Sequence, residues 1–247
     1  MIEIFQTVEE LNRFAAGRFV EIGRRAVETS GRFAVALAGG STPKALYRLL
    51  TTAEFKDRLN WPRVRFFFGD ERFVPADHPE SNFRMAAENL FRPLEIAGTD
   101  IFRWRTELGD PDAAAADYRE RLAAFFRLTA ENPFPRFDLI LLGMGADGHT
   151  ASLFPFTEAL GETSLTAVAN PVEKLRTVRL TTTFPVLNNA AHVIFLVAGE
   201  EKAAVLREVL EGAPEPARLP SQNVRPTAGE LLWLIDRNAA QKLSGTV

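Results

Sequence analysis

The 247 residues include 46% hydrophobic and 25% charged side chains, ordinary globular proportions that exclude a disordered chain and leave enough apolar surface for a sizeable core. A formal net charge of −3, with no basic run, excludes nucleic acid as the main partner, because phosphate backbones are met by concentrated Lys and Arg. The absence of cysteine removes disulfides, thiolate metal sites and a cysteine nucleophile together and makes the cytosol the natural compartment, and no apolar run is long enough to cross a bilayer.

The N-terminus, MIEIFQTVEELN, lacks the basic start and apolar centre of a signal peptide. Thr7-x-x-Glu10 is a capping box, and Val8, Leu11, Ala15, Phe19, Ile22 and Ala26 keep a helical stripe, so the chain is expected to open on a helix that Gly31 ends. Residues 32–38 (RFAVALA) read as a strand. Gly39-Gly40-Ser41-Thr42 then leads into a helix with Pro43 at its first position, a place where free N–H groups, the helix dipole and two hydroxyls meet an anion. The plainer reading is a strand-to-helix turn capped by Ser or Thr.

Residues 64–68 (VRFFF) are the next strand, followed by a charged loop, Gly69-Asp70-Glu71-Arg72. Arg72 suits bidentate contact with phosphate, although a local ion pair with Asp70 or Glu71 is the commoner fate of such an arginine. Ser81 or Asn82 caps a helix running through Met85 and Leu90. A short strand is expected at 101–104 and an alanine-rich helix from Asp110-Pro111 to about Arg127.

The stretch 137–155, FDLILLGMGADGHTASLFP, holds the chemistry. Its apolar run reads as a buried parallel strand that opens into a glycine loop bearing Asp147 and His149, where ligands of open α/β sheets bind. The histidine fits a general base near neutral pH, with the aspartate orienting it or holding a substrate hydroxyl. Alternatively the pair merely caps backbone groups. Gly143-x-Gly145-x-x-Gly148 matches a dinucleotide fingerprint, but Pro155 leaves no room for the long helix it requires.

Strands follow at 166–169 and 177–181, the second holding Arg179. Residues 192–198 (HVIFLVA) form another buried strand, and Glu200-Glu201-Lys202 opens a helix through Leu210. A lysine in a first turn opposes the dipole, so Lys202 suits a ligand better than its helix. A surface crossing at 214–220, a last strand at 231–235 and a terminal helix at 239–243 complete the chain. Alternating strands and helices predict one α/β domain over residues 1–247: a three-layer, Rossmann-like open sheet, mostly parallel, with helices on both faces. His78, His149 and His192 have no ligand-like spacing, so no dedicated metal site is expected.

The segments LAGGSTPKALY, GDERFVPADHPESNFRM, DLILLGMGADGHTASLFP and HVIFLVAGEEKA resemble the 6-phosphogluconolactonases, over roughly residues 7–236. That family shares its fold with glucosamine-6-phosphate deaminases and, more distantly, ribose-5-phosphate isomerases. The resemblance implies hydrolysis of 6-phospho-D-glucono-1,5-lactone without a cofactor, His149 activating water beside Asp147. It also implies phosphate and substrate contacts from Gly39, Gly40, Ser41, Thr42, Asp70, Arg72, Asn82, Gly143, Arg179 and Lys202. Backbone N–H groups near Gly143 to Gly145 are the expected oxyanion donors. Similar deaminases carry G-x-D-G-H-I-A-F-N-E, and Phe154 stands where their proton-transferring glutamate falls. A non-catalytic sugar-phosphate sensor would require a DNA-binding module and a basic face, for which the opening helix leaves no place. A small sugar-phosphate lactone is the expected partner, without nucleic acid or membrane, and a monomer is the expected form.

Overall fold

The computed structural model of the chain describes residues 1–244. Its first half runs β1 (Ile2–Phe5), α1 (Val8–Ser30), β2 (Phe33–Leu37), α2 (Ser41–Leu50), β3 (Val64–Phe68), β4 (Asp70–Arg72), α3 (Asn82–Ala86), β5 (Ile101–Phe102) and α4 (Pro111–Phe126). The second half runs β6 (Leu139–Leu142), β7 (Ala167–Val172), β8 (Thr177–Thr182), α5 (Phe184–Asn188), β9 (His192–Val197), α6 (Ala203–Glu211), β10 (Glu230–Asp236) and α7 (Arg237–Ala240). Seven strands form one sheet in the order β1-β10-β9-β6-β2-β3-β5, parallel at every pairing. None of the described helices is long and apolar enough to cross a membrane.

β2 and β6 are buried at every position, as strands of a parallel sheet covered on both faces must be. β3 shows how the covering arises, because successive side chains of a strand point to opposite faces. Phe66 and Phe68 pack on Phe91, in the helical turn beyond α3, with ring centroids 5.0 and 6.2 Å away. Phe67, between them, meets Phe102, Phe137 and the α4 residues Phe125 and Phe126 at 4.4 to 5.6 Å. The segment after α3 and the end of α4 therefore lie on opposite faces, and each buried ring contributes about 1.5–3 kcal/mol.

α1 starts where its capping box predicts. Thr7 Oγ1 accepts from Glu10 N–H at 3.1 Å, while Glu10 reaches back to Gln6 N–H at 3.0 Å; Gly31, at φ 75, closes the helix with its N–H on Val27 O.

Three expectations need correction. A strand precedes α1: Ile2–Phe5 is too short, and too close to the Thr7 cap, to register by pattern, and it forms against β10 from Ile2↔Trp233 to Phe5↔Asp236. α2 begins at Ser41 rather than Pro43, because Gly40, at φ 103, takes the N-cap position. The charged segment expected as a loop after β3 is β4, which pairs antiparallel with β8, itself antiparallel to β7. This small sheet is tied to the end of β3 by Thr182, whose N–H and hydroxyl both donate to Gly69 O at 2.9 Å.

Both tyrosines of the chain brace strand ends. Tyr47 Oη accepts from Ala38 N–H at 3.0 Å and donates to Ala38 O at 2.8 Å; Tyr118 Oη does the same with Phe68, at 3.0 and 2.9 Å. Both rings are fully buried, so these bonds satisfy backbone groups that have no water to turn to.

Candidate active site

Parallel strands place their carboxyl ends on one rim, and four central neighbours, β9, β6, β2 and β3, deliver the chain there. A cleft of about 560 Å³ opens at that rim. Gly39 and Gly40 line it from the end of β2, Asp70 from beyond β3, Gly143, Asp147 and His149 from beyond β6, and Lys202 from beyond β9, while Asn82, Arg72 and Arg179 close its side. Ser41 and Thr42 begin α2 beside the cleft but are not part of its lining.

His149 is held from three directions. Its Nδ1 lies 2.5 Å from Asp147 Oδ1, which makes Nδ1 the protonated nitrogen and leaves the Nε2 lone pair free, with no protein partner among the described residues. Phe154 stacks on the imidazole at 4.1 Å and 24°. Gly145 passes beneath: a Cβ there would stand 2.0 Å from His149 Nδ1, so only glycine lets the ring occupy its place. The hydrogen bond from His149 holds the Asp147 carboxyl well below its ordinary value of 3.8, and Lys174 adds a smaller pull. No helix follows Gly148. The loop closes on itself, through Gly145 N–H to His149 O at 2.8 Å and Thr150 Oγ1 to Gly143 O at 2.9 Å. The Gly145 N–H is thereby occupied and is not an oxyanion donor.

Arg72 and Arg179 are direct cross-strand partners in β4 and β8. Arg72 donates to the Glu80 carbonyl, and neither guanidinium forms an ion pair among the described residues, so the plainer alternative for Arg72, a local pair with Asp70 or Glu71, is not the one the structure takes. Burial, and then the positive charge of Arg72, hold Arg179 below its ordinary value. Like charges opposite one another destabilise a sheet, so this pairing costs the fold rather than supporting it.

The neighbouring carboxylates have other duties. Glu71 accepts from the N–H groups of Arg72, Asn82 and Phe83 at 2.7 to 2.9 Å and from Ser81 Oγ at 3.1 Å, anchoring the start of α3, where Ser81 is the N-cap. Burial pushes its carboxyl up, against the pull of these donors. Asp70, buried at the cleft floor, accepts from Ser152 Oγ at 2.7 Å and Asn82 Nδ2 at 3.3 Å. Asn82 in turn needs Gly39, where a Cβ would fall 2.0 Å from its Oδ1.

Sequence reasoning missed Ser152 and Lys174, and it read Phe154 only as the lack of an acid. Ser152 carried a signal, being in the same motif as His149; Lys174 carried none. His78 and His192 lie away from the cleft, His78 accepting from Glu80 N–H at 3.2 Å and His192 Nδ1 standing 2.9 Å from Asp138 O.

An open parallel sheet, covered on both faces and with polar groups gathered at its strand ends, defines a Rossmann-like α/β protein. More narrowly, the chain belongs to the family described as glucosamine-6-phosphate isomerases/6-phosphogluconolactonase, whose profile matches residues 6–233. It is 42% identical over 221 residues to a 6-phosphogluconolactonase of Synechocystis sp., covering 89% of this chain and 88% of that one. With a 6-phosphogluconolactonase of Rattus norvegicus it shares 37% identity over 99% of this chain and 94% of that one. The solved 6-phosphogluconolactonase from Trypanosoma brucei superposes with a TM-score of 0.88 at 32% identity, covering 99% and 98% of the two chains. A monomeric glucosamine-6-phosphate deaminase, 21% identical with a TM-score of 0.79 over 98% and 99%, shares the fold.

Proposed function

We propose that the protein hydrolyses 6-phospho-D-glucono-1,5-lactone to 6-phospho-D-gluconate, with His149 as the general base. The observation that carries this reading is the His149–Asp147 bond at 2.5 Å, which turns a free Nε2 into a cleft that also holds two guanidiniums without carboxylate partners. The names of the relatives supply the substrate.

Arg72 and Arg179 take the phosphate, Arg72 through the planar fork that suits phosphate oxygens, with Lys202 completing the charge. Nε2 removes a proton from water as its oxygen attacks the lactone carbonyl. Asp147 keeps the tautomer and stabilises the imidazolium that forms. Collapse of the tetrahedral intermediate breaks the bond from the carbonyl carbon to the ring oxygen, and the imidazolium protonates that oxygen. Asp70, fixed by Ser152 and Asn82, accepts a hydrogen bond from a sugar hydroxyl. Phe154 favours hydrolysis over aldose–ketose chemistry, because the ring against His149 transfers no proton.

The test is acid release from freshly generated lactone, with the uncatalysed rate subtracted and glucosamine 6-phosphate run in parallel. Wild type is expected to exceed background by orders of magnitude, His149→Ala to lose at least about 100-fold, and neither to deaminate the amino sugar. A wild type at background overturns the reading.

A further inference from the structure

One charged group stands at the reacting end of the cleft without a structural reason for its charge. Lys174 occupies the turn Glu173–Leu175 between β7 and β8, closed by Arg176 at φ 49. Its side chain is 75% exposed, lines the cleft, and brings Nζ to 3.5 Å from Asp147 Oδ2. A pair so exposed contributes little to stability. Yet the other oxygen of the same carboxylate holds His149 Nδ1, so ammonium, carboxylate and imidazole form one chain of contacts.

One donor expected at that end of the cleft is already used. The Gly143–Gly145 turn is where backbone donors are expected, and the Gly145 N–H is already bound to His149 O. The hairpin brings a charged donor to the same end. Thr177 closes its mouth opposite Val172, and Arg179, two residues along β8, faces Arg72. At about 3.3 Å per residue the guanidinium lies some 7 Å of strand below the mouth, and the ammonium lies beyond it, at the tip. A hexonolactone 6-phosphate has the same polarity, with its phosphate on one terminal carbon and its carbonyl on the other.

We propose that Lys174 is a further catalytic residue, whose ammonium leaves Asp147 Oδ2 on substrate binding and donates a hydrogen bond to the lactone carbonyl oxygen. The inference rests on the hydrolase reading above. As the water oxygen bonds to the carbonyl carbon and its proton passes to Nε2, the carbonyl π pair moves onto its oxygen, where the ammonium meets the charge. When that pair re-forms the double bond, the ring C–O bond breaks and the leaving oxygen takes the proton from the imidazolium. Lys174 stays protonated throughout, and no other reactant is consumed. Asp147, having given up its ammonium neighbour on substrate binding, regains a full cationic partner when His149 takes the proton in the step that follows.

Background-corrected kinetics of Lys174→Met and Lys174→Arg on the intact chain test this, with inorganic phosphate as a competitive inhibitor. Lys174→Met is expected to lower kcat by about 100-fold, with KM and the inhibition constant for phosphate changed by less than about threefold. Lys174→Arg is expected to recover about tenfold or more of the loss, because it keeps a cationic donor. A kcat for Lys174→Met within about threefold of wild type overturns the inference, as does a loss matched by weaker phosphate inhibition, which would make Lys174 a phosphate ligand. An active wild type with an unaffected Lys174→Met overturns this inference alone; a wild type at background overturns the hydrolase reading itself.

Discussion

Replacing Gly145 with alanine adds one methyl group directly beneath the imidazole of His149. The new Cβ would lie 2.0 Å from Nδ1, 2.1 Å from Cε1 and 2.8 Å from Asp147 Oδ1, whereas ordinary contact begins at 3.4 Å. The ring must therefore retreat by about 1.4 Å or rotate off Phe154, and either movement breaks the 2.5 Å bond to Asp147. Misplacing a reacting group by about 1 Å costs on the order of 100-fold, so kcat/KM should fall by at least that factor, about 2.7 kcal/mol of transition-state stabilisation. Gly145 does not need a left-handed backbone, and the displaced ring has an open cleft to move into, so stability should fall by no more than the worth of the one broken hydrogen bond to a charged group, about 1.5–3 kcal/mol. The assay pairs lactone hydrolysis with a melting curve. A Gly145→Ala enzyme within about threefold of wild type would refute the argument that this glycine sets the position of the base.

Arg179→Met should raise KM by about 10- to 100-fold, the worth of one hydrogen bond to a charged group, while leaving the melting temperature equal or higher, since it relieves the cross-strand repulsion with Arg72; an unchanged KM would remove Arg179 from the phosphate site. The pH dependence of stability tests the dyad. The hydrogen bond from His149 holds Asp147 below its usual 3.8, so the carboxylate contributes stability that is present above pH 3.8 and lost as the pH falls through its depressed folded value. Asp147→Asn removes that contribution, and the stability gap between wild type and variant should narrow in acid; a gap that is constant with pH would contradict the pairing.

Apart from β1, the main sheet was legible because most of its strands are apolar runs bounded by glycine or proline, and because parallel strands need no polar alternation. The same regularity located the site, since Gly39, Asp70, His149 and Lys202 all follow such runs. The small sheet was not legible as a sheet. β4 is Asp-Glu-Arg, a composition that argues against a strand, and it is one only because β8 lies beside it. Ser41 and Thr42 were misplaced relative to their helix because a capping glycine allowed α2 to begin two residues before its proline. Lys174 is invisible for a different reason: in the turn Glu-Lys-Leu-Arg a lysine resembles any solvated cation, and its meaning comes from Asp147, 27 residues earlier in sequence.

The two strand-end tyrosines have an optical consequence. Tyr47 and Tyr118 are the only phenols in the chain, and burial pushes both hydroxyls far above their ordinary value of 10.0. An alkaline titration followed by ultraviolet absorbance should therefore show no phenolate band near pH 10 while the native state persists, then a single rise for both rings as the strand ends come apart. Since each ring is bonded to the backbone that leads into Gly39 or Asp70, the chain carries its own chromophore for the integrity of the active-site rim.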